Sequence, residues 1–171
     1  MKRNLCIALA AIFMAGNVCA VKVAAQTADA SAENTEKKIY KAPAGKEVYI
    51  PRDLKENDFT SADSKWSFAR CAYTDDIIVF WEKPFGPDLS KAPDLEGNNM
   101  KVDLQNLLTR IQSFYDYFKN DLQFIKPGSN ADRYRMMVML NYSLEGTAYG
   151  GDYDGTIGAL WIAPNRVQKK K

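Results

Sequence analysis

LEGTAYGGDYDGTIGALWIAP, residues 144–164, passes from a glycine-rich run into an apolar strand, and the class of fold turns on how its two halves are read. In the second half, Ala159, Trp161 and Ala163 alternate along one face of an extended segment, the period-2 pattern of a β-strand. The first half is expected to be a loop, because glycine weakens strands and takes the positive-φ positions of turns. Immediately upstream, RYRMMVMLNYS (residues 133–143) has a nearly continuous apolar centre and reads as another strand. Before it, Leu104, Leu108, Ile111, Tyr115, Phe118, Leu122 and Ile125 recur at spacings of four and three, with Leu107 and Phe114 widening the stripe. That periodicity predicts one long helix over residues 101–125, capped by Asn98 or Asn99 and ended by Pro127-Gly128.

Further upstream, WSFARCAY (66–73) and DIIVFWEK (76–83) form a candidate hairpin across the Thr74-Asp75-Asp76 turn. Ile77, Ile78, Val79, Phe80 and Trp81 are all apolar, which predicts a strand covered on both faces at the centre of a sheet. KEVYI (46–50) is a short strand candidate closed by Pro51. Residues 82–100 carry Pro84, Pro87, Pro93, Gly86 and Gly97 and cannot be one regular element; they either shape a binding surface or serve as packing. The expected class is α+β, a mixed twisted sheet backed by one long helix.

The amino terminus has a different logic. Lys2 and Arg3 precede the apolar run LCIALAAIFM (5–14), and Val18-Cys19-Ala20 offers a cleavage site, so residues 1–20 are expected to be a secretory signal peptide. Cleavage after Ala25 fits as well. The residues before Cys19 do not form a lipoprotein box, which argues against a lipid anchor, and a run of about 10 residues is too short to span a bilayer. Residues 21–45 read as a flexible leader, 46–168 as the domain and 169–171 as a solvated basic tail. The expected location is secreted or periplasmic.

Composition narrows the chemistry. The 171 residues hold 23 Lys+Arg and 21 Asp+Glu. Loss of Lys2 and Arg3 would bring the two to parity, which excludes charge-driven binding of nucleic acid or an anionic membrane. Cys71 alone would remain of the cysteines and reads as a small buried apolar residue. There is no histidine, so the common zinc ligand sets and Ser-His-Asp or Cys-His devices cannot be assembled. Asp152 and Asp154 sit among glycines like a fragment of a calcium loop, but a plain turn is the simpler reading. Glu145 with Asp152 or Asp154 has the residue types of a glycosidase pair, though nothing in the sequence sets their separation. Trp66, Trp81, Trp161, Tyr149 and Tyr153 are candidates for a glycan-stacking platform, with Trp81 expected in the core.

In IPRDLKENDFTSADSKWSFARCAYTDDIIVFWEKPFG (50–86), the long helix, RYRMMVMLNYS and GGDYDGTIGALWIAPNRVQ (150–168), the chain resembles the first half of a zincin-like metallopeptidase domain from a family of secreted bacterial proteins. That resemblance implies a backing helix at 101–125 and a substrate-binding edge strand formed by Gly158, Ala159, Leu160, Trp161, Ile162 and Ala163, with Tyr149 on the cleft rim. It also implies zinc for complete homologues, bound by an HExxH helix. Here Asn165-Arg166-Val167-Gln168 is followed by Lys169 to Lys171 and no HExxH. The expectation is an amino-terminal portion lacking the zinc helix, with no catalytic residue and no metal ligand of its own, inactive alone. An extended peptide or a glycan is the expected partner, and an uncovered edge strand is expected to favour self-association. The alternative is a secreted, non-catalytic glycan- or protein-binding module.

Overall fold

The computed structural model describes residues 22–23, 39–40, 45–146 and 148–167. The expected signal peptide, most of the leader and the basic tail lie outside the described residues. Two short pieces of the leader do pair: β1 (Lys22–Val23) runs antiparallel to β4 (Cys71–Tyr73), and β2 (Ile39–Tyr40) antiparallel to β3 (Val48–Tyr49).

The class is α+β, as the sequence pattern predicts. The sheet has the order β1-β4-β5-β6-β8-β7, with β5 at Ile77–Trp81, β6 at Met136–Leu140, β7 at Tyr149–Tyr153 and β8 at Ile157–Ile162. The pairs β5–β6 and β6–β8 are parallel and the others antiparallel, so the sheet is mixed. Every residue of β5 is buried, because alternate side chains serve two cores. Ile78 and Phe80 pack on the front with Phe59, Trp66 and Met139, while Ile77, Val79 and Trp81 pack on the back with Leu108 and Val138.

The back layer contains α1 (Leu104–Asp116), 13 residues that continue into a 5-residue π-helical stretch, Tyr117–Asp121. Its cap is Asp103, whose carboxylate accepts from the Asn106 N–H at 2.9 Å, rather than Asn98 or Asn99. The helix is also shorter than the periodicity suggests. The π stretch changes the turn geometry, and Gln123 then adopts φ 54°, which breaks the helix before Pro127. Residues 82–100 turn out to be packing: Phe85, Leu89, Ala92 and Met100 are buried in the back core, held by short 3-10 turns at Lys83–Phe85 and Leu89–Lys91.

A polar clamp ties α1 to the sheet. Asp76, in the β4–β5 turn, meets Lys46 Nζ at 2.6 Å and Lys119 Nζ at 3.6 Å, and accepts from Gln112 Nε2 at 2.8 Å. Gln112 is buried to make this bond and also accepts from the Thr74 hydroxyl. Arg135 lies almost fully buried beside them, donating to the Thr74 and Lys46 carbonyls. These contacts fix the height of α1 above the back face.

Candidate functional site at the β7 edge

The expected edge strand is not at the edge. β8 pairs with β6 on one side and with β7 on the other, so both sides of its backbone ladder are taken. The glycine-rich run read as a loop supplies the missing strand: Tyr149 to Tyr153 pair residue by residue with Trp161 to Ile157. The last strand in the order is therefore β7, and its outer side has no partner strand among the described residues. Two signals could have located it. Asp154-Gly155 is a strong hairpin dipeptide, and Tyr149, Gly151 and Tyr153 alternate before it just as Ile157, Ala159 and Trp161 alternate after it.

The turn is built for that dipeptide. Asp154 and Gly155 both have positive φ, 56° and 60°, and the Thr156 N–H closes the turn onto the Tyr153 carbonyl at 3.0 Å. Three donors hold the Asp154 carboxylate: the Arg52 backbone N–H at 2.8 Å, Arg52 Nε at 2.8 Å and the Tyr49 hydroxyl at 2.9 Å. The Arg52 backbone donor, followed by its guanidinium, holds the Asp154 carboxyl below the usual carboxylate range. Held by these three donors, Asp154 pins the turn to the Tyr49–Arg52 segment. Among the described residues no group of three or more His, Cys, Asp or Glu is placed to hold a metal ion.

The two faces of the edge differ. On the front, Tyr149 stacks on Trp161 with ring centroids 5.5 Å apart and planes 4° from parallel, and Tyr153 packs on the same indole at 4.9 Å. Trp161 is only 8% exposed and Tyr149 is 53% exposed, so the outer surface of the shelf is the tyrosine ring. Trp66 and Trp81 are buried elsewhere and take no part; Trp81 donates its indole N–H to the Gly86 carbonyl at 2.9 Å. Of the five aromatic candidates, the fold brings three together.

On the back, Gly150 and Gly158 remove two side chains beside Leu160. A Cβ on Gly150 would lie 2.9 Å from the Ala159 carbonyl oxygen and 3.3 Å from Leu160 Cδ1, whereas one on Gly158 would meet Met136 Cγ at an ordinary 3.7 Å. An open groove of about 720 Å³ lies between this part of the sheet and α1, with Gly158 on its floor and lined chiefly by Ile111, Phe114, Phe118, Phe124 and Leu160. Phe114 and Phe124 are 65% and 69% exposed. The apolar stripe of the helix is thus buried at Leu107, Leu108 and Tyr115 but uncovered at Phe114 and Leu122. Sequence periodicity assigns the whole stripe to the core, but a core needs a closely packed second layer, and between α1 and the β7–β8 end of the sheet the groove stays open.

The remaining predicted site residues divide between the faces. Ala159 and Trp161 belong to the front core, Ile162 to the back core, Gly158 and Leu160 to the groove floor, and Ala163 is buried just beyond the strand. Asp152 lies on β7 opposite Gly158, exposed, and its carboxylate makes no hydrogen bond or ion pair among the described residues. Sequence reading offers it as a calcium-loop fragment with Asp154 or as half of an acid pair with Glu145.

No helix among the described residues is long and apolar enough to cross a membrane. No curated protein and no solved structure matches the chain. A family model does match, over residues 40–171, which takes in β3 through β8 and all of the site. The chain belongs to that family, described as a family of unknown function (DUF6055).

Proposed function

We propose that this chain holds an extended polypeptide along the free edge of β7, as the substrate-binding side of a zincin-like, peptidase-type metallohydrolase exported from the cell. The observation that carries the reading is the open outer side of β7 in a mixed sheet backed by α1. An unpaired edge presents a row of N–H and C=O groups to which a further strand can add. The zincin-like resemblance asks for an edge strand in front of a backing helix, and β7 fills that place in β8's stead. The exposed Phe114 and Phe124 agree with a domain whose second helical layer comes from elsewhere.

Zinc does not fit the residues present. The sequence contains no histidine, and the described carboxylates form no ligand cluster. No hydrolytic step is assigned to this chain, which by this reading binds and does not cleave. N-methylated peptides test the binding mode. A strand added to β7 turns every second N–H toward the edge, so N-methylation in one alternating phase abolishes binding and in the other leaves it intact. Equal loss in both phases refutes strand addition.

A second reading, a secreted non-catalytic glycan- or protein-binding module, is favoured by the exposed face of Tyr149, an aromatic surface suited to a sugar ring. Tyr149→Ala separates the two. It eliminates glycan binding but only weakens peptide binding, which rests on the backbone.

A further inference from the structure

Strand addition at β7 leaves open which polypeptides are accepted, and the back face of the edge carries that information. We infer that the β7 edge selects segments with a large apolar side chain and a basic side chain two residues apart, the first set beside Gly150 and over the groove, the second beside Asp152. The inference rests on the strand-addition reading and names its substrate class.

Side chains two apart on a strand share a face. Gly150 and Asp152 are such a pair, and the Cβ direction of Gly150 toward Leu160 places both on the back. An added strand lies about 4.8 Å outside β7, with directly opposite Cβ atoms about 5 Å apart. The residue opposite Gly150 meets no side chain on β7, so a long apolar group can lean inward across the glycine. There it reaches Leu160, the exposed ring of Phe114 and the half-buried ring of Phe118. A small or polar residue at this position would leave those rings in water. Burying a large apolar side chain here is expected to tighten binding about tenfold over threonine.

The neighbouring position is decided by charge. Asp152 is exposed and has no partner among the described residues, unlike Asp154, whose carboxylate is held by Arg52 and Tyr49. A lysine or arginine opposite Asp152 gains an opposite-charge cross-strand pair and an acidic residue meets repulsion, a difference of about two- to five-fold. The front face adds no such pattern, because its inward positions already hold the Tyr149–Trp161–Tyr153 cluster.

The test uses threonine-rich strand peptides in which the two positions are varied independently, measured by fluorescence anisotropy against the wild-type chain, Asp152→Lys and Gly158→Leu. Near-UV circular dichroism verifies the fold of each variant. Gly158→Leu fills the groove floor at a site where a Cβ meets only Met136 at ordinary contact distance, and Asp152→Lys alters an exposed residue. The expected result is a preference for large apolar and basic residues in the wild type. Asp152→Lys turns the basic preference acidic, and Gly158→Leu erases the apolar preference. If the parent binds all three proteins but shows no positional preference, or one that neither variant moves, the selectivity inference is wrong and strand addition stands. Failure of every peptide to bind overturns both.

Discussion

Asp76→Asn is the perturbation that most directly tests how the back face is held. Lys46 and Asp76 are both nearly buried and meet at 2.6 Å, with Gln112 donating to the second carboxylate oxygen at 2.8 Å. Asparagine keeps the shape and removes the charge, leaving the Lys46 ammonium in a dry site with only the Tyr115 hydroxyl at 3.0 Å and the Ala131 carbonyl at 2.7 Å. Breaking a buried pair from one side costs about 3–5 kcal/mol, against about 5–15 kcal/mol of total stability for a domain. With a urea m-value of about 2 kcal/mol/M, the unfolding midpoint falls by roughly 2 M. Lys46→Met in the Asp76→Asn background recovers part of this, since removing both charges abolishes the desolvation cost. Burial acts to raise the Asp76 pKa, but the Lys46 and Gln112 hydrogen bonds and the Lys46 and Lys119 charges outweigh it, and the net shift is downward. Its stabilisation is therefore complete above the unfolded carboxylate pKa of about 3.9 and disappears as pH falls through the lower folded value. Lys46 shifts the other way. Burial lowers it, the Asp76 and Tyr115 contacts prevail, and its contribution persists to the unfolded lysine value of about 10.4 and is lost above that. A midpoint change under about 0.5 M at pH 7, the size expected of an exposed pair, would refute the clamp.

The neighbouring glycines of β7 are expected to behave differently. Gly150→Ala forces its Cβ against the Ala159 carbonyl and lowers stability by about 1–3 kcal/mol in urea unfolding, whereas Gly151→Ala, with open space around it, stays within about 1 kcal/mol. The free edge favours pairing between copies, so sedimentation of the wild type at rising concentration shows association that Gly151→Lys suppresses; unchanged association in the variant rules out β7 as the contact. Cys71 is buried, and that burial pushes its thiol up to about 12, so iodoacetamide modifies it only as fast as the protein unfolds. Rapid labelling under native conditions would contradict its place in the front core.

What could be read in the sequence was what apolar spacing dictates. Five consecutive apolar residues fixed β5 at the centre, and the prolines and glycines of residues 82–100 announced an irregular segment. The stripe of α1 was legible, but not where its burial ends, because exposure of Phe114 depends on a layer that no local pattern describes. β7 was hidden by its own composition. Gly150 and Gly151 disfavour a strand locally, and the long pairing with β8 overrides that preference. Placing the edge at Gly158–Ala163 followed from missing that pairing. The buried charges were equally out of reach: Lys46, Asp76 and Arg135 look like surface residues until the chain brings them together across long separations.

Amide hydrogen exchange on the full chain, with and without a saturating extended peptide, tests the account most directly. New protection is expected at alternate amides of Tyr149 to Tyr153, those whose N–H points away from β8, with the β8 amides unchanged because they are already paired. Protection confined to the 3-10 turns and loops of residues 51–70, or no change along β7 while the peptide is bound, would contradict it.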